Sequence, residues 1–345
     1  MNGEIKILDC TLRDGGQCLE DIEMNGIHIQ LFQEEERMKI ASSLRDSKIE
    51  IIELGCIEES KQNKEGFAIY QSVQELSRLI PIRKDKKQMF VGLYTGPDTD
   101  IGKIPNHSPG LVDGIRVILR YSELEKSLTY CRELAKKGYK VFVQPMLTMR
   151  YSDYELMKVI DAANEMGAYA LYFVDSFGYM NVKDIERLFE FYAKRLNSNI
   201  FIGFHAHNNM NRAFENVKYF IDHFTERKKL VDSCVYGMGQ GAGNLQTEIL
   251  VHYMNEHHGT EYQFNNILEI CDLLEKYKPY EMATWGYSPV RMIPAIHKAA
   301  YKYASAMKWR HGMSLVEIHK VLSCMPEAWK HRYTAENLDK LLKDQ

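Results

Sequence analysis

The sequence predicts a (β/α)8 barrel followed by a helical appendage. Short apolar, β-branched runs recur eight times along the first two thirds of the chain. Stretches of helical periodicity lie between them. The turn after the first run reads "TLRDGGQ" (11–17), where a doubly wound nucleotide-binding sheet would carry GxGxxG, so a closed barrel is favoured over an open sheet.

The runs are "IKILDC" (5–10), "IEIIELG" (49–55), "MFVGLY" (89–94), "GIRVIL" (114–119), "KVFVQP" (140–145), "ALYFVD" (170–175), "IFIGFH" (200–205) and "LVDSCVYG" (230–237). Near-continuous apolar character suits strands buried on both faces, as in a parallel sheet. Between them, "SELEKSLTYCRELAKKG" (122–138) places Leu124, Leu128, Cys131 and Ala135 three or four residues apart, with Gly138 as a stop signal. "DYELMKVIDAANEMGA" (153–168) reads the same way. After about residue 260 the strand signal ends, and "FNNILEICDLLEKY" through "AENLDKLLKDQ" reads as helices. The expected division is therefore a barrel over 1–260 and a helical region over 261–345.

Composition excludes several classes. With 45% hydrophobic and 26% charged residues and a net charge of -3, the chain has an ordinary globular balance and no basic block for nucleic acid. "PIRKDKK" (81–87) reads as a solvated loop. No apolar run approaches the ~20 residues that span a bilayer, and "MNGEIKILDC" lacks the layout of a signal peptide. The cysteines at 10, 18, 56, 131, 234, 271 and 324 form no CxxC pair, which suits reduced thiols and a cytoplasmic location.

In a barrel, chemistry sits at the C-terminal ends of the strands. Four polar segments fall at such ends: "DCTLRDGGQ" (9–17), "VDSFGYM" (174–180), "HAHNN" (205–209) and "GMGQGAGNLQTE" (237–248). They follow runs one, six, seven and eight, which are consecutive around a closed barrel, so they converge on one rim. His205 and His207 lie two apart in a strand and project from the same face. With Asp14 as a third donor they make a His, His, carboxylate set suited to a divalent ion that also holds substrate oxygens. Arg13 offers a permanent charge beside that ion, able to hold a carboxylate or a developing enolate oxygen. Ser176 is placed to hydrogen-bond a substrate carboxylate, and Asp175 to hold a histidine, to hold Arg13, or to serve structure alone. Asp9 reads as an anchor for the first loop or a partner of Arg13. The alternating glycines at 237, 239, 241 and 243, with Gly241 and Gly243 nearest Asn244, read as a lid or as a phosphate nest. Asn244 is expected to cap the next helix or to join the metal site.

These motifs, in order over roughly residues 5 to 255, resemble the DRE-TIM metallolyases, a family that includes 4-hydroxy-2-oxovalerate aldolase, hydroxymethylglutaryl-CoA lyase and the isopropylmalate and citramalate synthases. "HAHNN…GMGQGAGNLQTE" is most similar to the aldolase branch, as is "WGYSPVRMIPAIHKAAYKY" (285–303). The resemblance implies Mn²⁺ or Mg²⁺ on Asp14, His205 and His207, with Arg13 on a pyruvate enolate and Ser176 on a 2-oxo acid. The implied reaction cleaves a 4-hydroxy-2-oxo acid to pyruvate and an aldehyde. It also implies a homo-oligomer, or an aldehyde dehydrogenase partner held through the C-terminal helices, where Trp309, Trp329 and Tyr333 lie. Where the aldolases carry a histidine after RDG, this chain has Gln17, as the acyl-CoA-condensing synthases do. The general base is then a water, Tyr287 or His28, and Tyr287 is also a substrate-binding residue by position.

Overall fold

The computed structural model describes residues 3–24, 28–223, 226–277 and 285–343. Nine strands are present: β1 (Ile5–Asp9), β2 (Ile51–Ile57), β3 (Ile69–Tyr70), β4 (Met89–Tyr94), β5 (Gly114–Leu119), β6 (Lys140–Pro145), β7 (Ala170–Asp175), β8 (Phe201–Ala206) and β9 (Lys229–Ser233). All except β3 correspond to the eight runs. They pair in parallel in the order β1-β9-β8-β7-β6-β5-β4-β2, and β1 closes the ring on β2 through Leu8↔Ile51 and Asp9↔Ile52. The fold is a closed (β/α)8 barrel, and the open sheet is excluded. β3 is a two-residue extension on the outer end of β2.

Helices cover the outside as the periodicity predicts. Leu124–Lys136 ends at the turn containing Gly138 (φ 91°). Asp153–Met166 begins in a capping box, with the Ser152 hydroxyl accepting from the Glu155 N–H, and ends on left-handed Gly167. Inside the ring, Leu8, Ile51, Val91, Phe142, Tyr172, Phe201 and Leu230 fill the barrel.

The C-terminal region is helical, with Pro289–Ile296, Tyr301–Trp309, Leu315–Ser323, Glu327–Lys330 and Ala335–Lys343. Its own core gathers Val290, Tyr303, Met307, Ile318, Leu322 and Leu338. Helix Phe264–Leu274, by contrast, buries Ile267, Ile270 and Leu274 in the barrel's outer shell. Trp329 and Tyr333 pack against the tail core, while Trp309 is partly exposed. Among the described residues no helix is long and apolar enough to cross a membrane.

Candidate metal centre

Asp14 sits in the first turn of helix Thr11–Met24, directly after β1, while His205 closes β8 and His207 follows it. The turn folds back over the barrel mouth because Asp9 anchors it: its carboxylate accepts from the Thr11 N–H (2.9 Å) and the Thr247 hydroxyl (2.7 Å). Asp9 makes that anchor and no hydrogen bond to Arg13. Ligand atoms of Asp14, His205 and His207 all lie within 4.8 Å of one another. His205 Nε2 is 3.3 Å from His207 Nε2 and 3.6 Å from Asp14 Oδ2. The three residues are brought together as the spacing predicts.

Arg13 lies beside them, with Nη1 3.1 Å from Asp14 Oδ2. It donates from Nε to Glu53 Oε2 (2.8 Å) and from Nη1 to Gln17 Oε1 (3.1 Å). Glu53 also accepts from Arg116 Nη1 (2.6 Å), and Arg116 Nη2 reaches Asp232. Asp232 in turn accepts from Tyr172 (2.8 Å) and from His205 Nδ1 (2.9 Å). Gln144 completes the set, its amide oxygen accepting from Arg116 Nε (3.0 Å) in the orientation that satisfies both groups. A continuous buried chain of charge therefore runs from Arg13 through Glu53, Arg116 and Asp232 to His205.

Its electrostatics follow from composition. Asp14, Glu53 and Asp232 are three buried carboxylates facing the two guanidiniums of Arg13 and Arg116. Burial alone would lift the Asp14 carboxyl, but Arg13 and both imidazoles override it and hold Asp14 far below the usual carboxylate range. Burial would lower His205, yet its hydrogen bond to Asp232 and contact with Cys10 raise it to about 9. His207, half-buried, is pushed down to about 4 by desolvation and by the neighbouring His205. The extra negative charge is thus compensated by a proton on His205, in the place where a cation would do the same.

Asn244 belongs to this cluster, and the helix it was expected to cap begins instead at Thr247, with Gln246 at the cap position. The reason is local: Asn244 pairs as an extended bridge with His207. Its Nδ2 donates to Asp14 Oδ2 at 2.9 Å, and its Oδ1 is buried with no hydrogen-bond partner. A buried acceptor left over beside a carboxylate and two imidazoles fits a cation, so the donor set passes the test for a divalent ion.

The glycine segment is packed down on this cluster. Asn209 Oδ1 accepts from the Ala242 N–H, and the Gly243 carbonyl accepts from the Asn208 N–H at 2.8 Å. From the tail, the Gly286 N–H donates to the Ala242 carbonyl and the Trp285 indole to the Tyr236 carbonyl. Gly243 requires glycine twice over: its φ is 88°, and a Cβ there would stand 2.0 Å from the Gly237 carbonyl oxygen. Gly241 (φ 66°) follows the same path around Asn209.

Other expected residues fall elsewhere. Ser176 is half-buried, its hydroxyl accepting from the Leu147 N–H at 2.9 Å. Asp175 accepts from the Tyr179 and Met180 N–H groups, and burial lifts it to about 7. It therefore serves its own turn, and neither holds a histidine nor Arg13. Tyr287 is 54% exposed and stands apart from the network, and His28 is exposed in the loop after the first helix. The residues that sequence reasoning missed are Glu53, Arg116, Asp232 and Tyr172. The available signal was a single charge inside each of three apolar strand runs, "IIELG", "GIRVIL" and "LVDSC".

A model of the HMGL-like family matches residues 4–274, well over half of the chain. The chain belongs to the HMGL-like family. Within it, the chain is similar to the 4-hydroxy-2-oxovalerate aldolase of Burkholderia pseudomallei (strain K96243), 25% identical over 333 residues, covering 92% of this chain and 88% of that one. The enzyme of the same name from Shewanella halifaxensis is 30% identical over 213 residues, 61% of this chain and 60% of the relative's length. A crystal structure of the N-terminal domain of a candidate aldolase from Bacteroides vulgatus superposes with a TM-score of 0.70 at 26% identity, covering 90% of this HMGL-like chain and 99% of that domain.

Proposed function

We propose that this HMGL-like protein is a divalent-metal-dependent aldolase, cleaving a 4-hydroxy-2-oxo acid to pyruvate and an aldehyde or running the reverse condensation. The observation that carries the reading is the meeting of Asp14, His205 and His207 beside Arg13 at the C-terminal end of the barrel. The aldolase names of its relatives support it. Asp14, His205 and His207 would hold Mn²⁺ or Mg²⁺, with Asn244 Oδ1 as a further oxygen. When bound, the ion supplies Lewis acidity toward the 2-oxo and carboxylate oxygens of the substrate.

The chain's own residues do the rest. Arg13, locked in orientation by Glu53 and Gln17, presents its guanidinium to the oxygen on which negative charge develops as the carbon–carbon bond breaks. Because Glu53 is itself fixed by Arg116, that charge is aimed before substrate arrives, and no reorganisation is needed. Packing of the glycine segment keeps bulk water away from Asp14, which strengthens each of these interactions.

The test is pyruvate release from a panel of 4-hydroxy-2-oxo acids by chelator-stripped protein, with and without added Mn²⁺. Metal-dependent pyruvate formation is expected. A metal-loaded protein silent across the panel would overturn the aldolase assignment. One observation favours a second reading: Gln17, bonded to Arg13, stands where the acyl-CoA-condensing synthases also carry glutamine. In that case a 2-oxo acid and an acyl-CoA would release free coenzyme A thiol.

A further inference from the structure

We propose that Cys10 and Cys234 form a reversible disulfide when a peroxide reaches them, and that the bond unseats Asp14 and Asn244. The bond needs only the two thiols; its effect on a bound ion rests on the metal-centre reading above.

The pair is built by strand register. β1 and β9 run parallel with Asp9 opposite Ser233, and the Cys10 N–H continues the ladder to the Ser233 carbonyl at 2.9 Å. Cys10 and Cys234, the next residue of each strand, therefore stand side by side. Paired strands lie about 4.8 Å apart, inside the range of about 4.4–6.8 Å over which two Cα atoms accept a disulfide. Both side chains are completely buried, and their Sγ atoms are 3.4 Å apart. Each cysteine also seats a residue of the centre. The Cys10 carbonyl accepts the Asp14 N–H at 2.9 Å, and Cys234 Sγ accepts from Asn244 Nδ2 at 3.2 Å. That same nitrogen donates to Asp14 Oδ2 at 2.9 Å.

The chemistry balances with one peroxide. One sulfur attacks a peroxide oxygen: an S–O bond forms, the O–O bond breaks, and the departing hydroxide leaves as water with the thiol proton. The second sulfur attacks the sulfenic acid so formed, making the S–S bond and releasing the hydroxyl, with its own proton, as a second water. Hydrogen peroxide is small and neutral, and its way in is the barrel mouth, where His207 is only half-buried. A disulfide is about 2.05 Å long, so the two sulfurs must close by about 1.4 Å. That movement displaces the sulfur on which Asn244 Nδ2 rests and the residue that accepts the Asp14 N–H. The plainer account is that two small residues merely fill the barrel, as Leu8, Ile51 and Leu230 do in the same cluster. On that account both thiols stay reduced under peroxide.

The test treats reduced, chelator-stripped full-length protein with hydrogen peroxide and maps its peptides without reduction. Expected is a linked Cys10–Cys234 peptide, lighter by two hydrogens than the two thiol peptides together. Mn²⁺ affinity, titrated once the peroxide is removed, should fall by about 10–100-fold and return with dithiothreitol. Amide exchange over residues 11–17 should quicken in the oxidised protein even without the ion. Cys234→Ser should bind Mn²⁺ equally before and after peroxide; if that variant fails to fold, the wild-type map and titration decide. Peroxide that oxidises exposed Cys324 but leaves Cys10 and Cys234 unlinked would overturn the proposal. A linked peptide with unchanged Mn²⁺ affinity would overturn the unseating. Reduced protein that takes no Mn²⁺ would overturn the metal centre alone, and amide exchange would then decide whether the bond unseats Asp14.

Discussion

Asp232 accepts the Nδ1 hydrogen of His205 at 2.9 Å, which turns Nε2 of the same ring toward Asp14 and His207. The carboxylate thereby fixes both the orientation of the imidazole and the nitrogen it offers to an ion. Asp232→Asn should lower metal affinity by about 10–100-fold with the barrel intact. Isothermal titration with Mn²⁺, alongside circular dichroism, checks both parts, and unchanged affinity would remove Asp232 from the centre.

The same relationship sets a pH dependence. His205 is raised to about 9, so below that pH its ring carries a proton that an incoming ion displaces. Raising the pH by one unit increases the neutral fraction about tenfold, so apparent affinity climbs about tenfold per unit through neutrality and levels off near 9. In Asp232→Asn the climb should end at a lower pH. An affinity flat from pH 6.5 to 8.5 would contradict the charge balance described for Asp14, Glu53 and Asp232.

Removal of donors separates binding from chemistry. Asp14→Asn and His205→Ala should each abolish turnover and metal loading in a folded protein, measured by metal analysis after desalting. Arg13→Ala should keep the metal and lose about 10²–10³ in kcat. An Arg13→Ala enzyme with wild-type kcat would place the enolate charge on some other group.

Arg116 is the keystone of the buried charges, wholly enclosed between Glu53 and Asp232. Arg116→Met removes the guanidinium shared by Glu53 and Asp232, leaving only Arg13 and His205 to face them, and should cost about 3–5 kcal/mol in urea unfolding. A loss below about 1 kcal/mol would mean that those carboxylates find protons or solvent instead.

Backbone shape at the glycine segment is equally testable. Gly243→Ala meets both a left-handed φ and a Cβ contact 2.0 Å from the Gly237 carbonyl oxygen, whereas Gly259 has φ 64° and nothing within 4 Å of its Cβ position. Gly259→Ala should cost about 1–2 kcal/mol, and Gly243→Ala clearly more, with metal affinity falling through displaced Asn244. Thermal melts of the two variants side by side provide the comparison.

The barrel was legible because strands buried on both faces are apolar at nearly every position, and eight such runs survive in the sequence. β3 was not, since two residues carry no pattern. His205, His207, Asp14 and Arg13 were legible because they sit in short polar segments at strand ends. Glu53, Arg116 and Asp232 were not, because their pairing depends on closure of the ring: the bonded residues are 40, 63 and 116 positions apart. Asn244 stayed open between a helix cap and the metal cluster for a related reason. Its type and position fit a helix cap, and only the neighbouring strand end, through His207, draws it toward Asp14. Asp175 took the structural one of the readings open to it, a buried carboxylate at the rim whose work is to close a turn.

The contacts from Trp285 and Gly286 to the glycine segment extend to a second seam. Asp21 of the first helix receives Gln240 (2.7 Å), Lys302 (2.6 Å) and the Tyr301 hydroxyl. The candidate site is thus assembled as a floor and a ceiling of separate origin. Strand ends supply the floor with its candidate metal ligands and its charge, and the appended helices are joined to the ceiling through a few polar stitches. On the proposed aldolase reading, mutational drift can then reshape the space offered to an aldehyde by moving the ceiling, while the floor of candidate ligands is left alone.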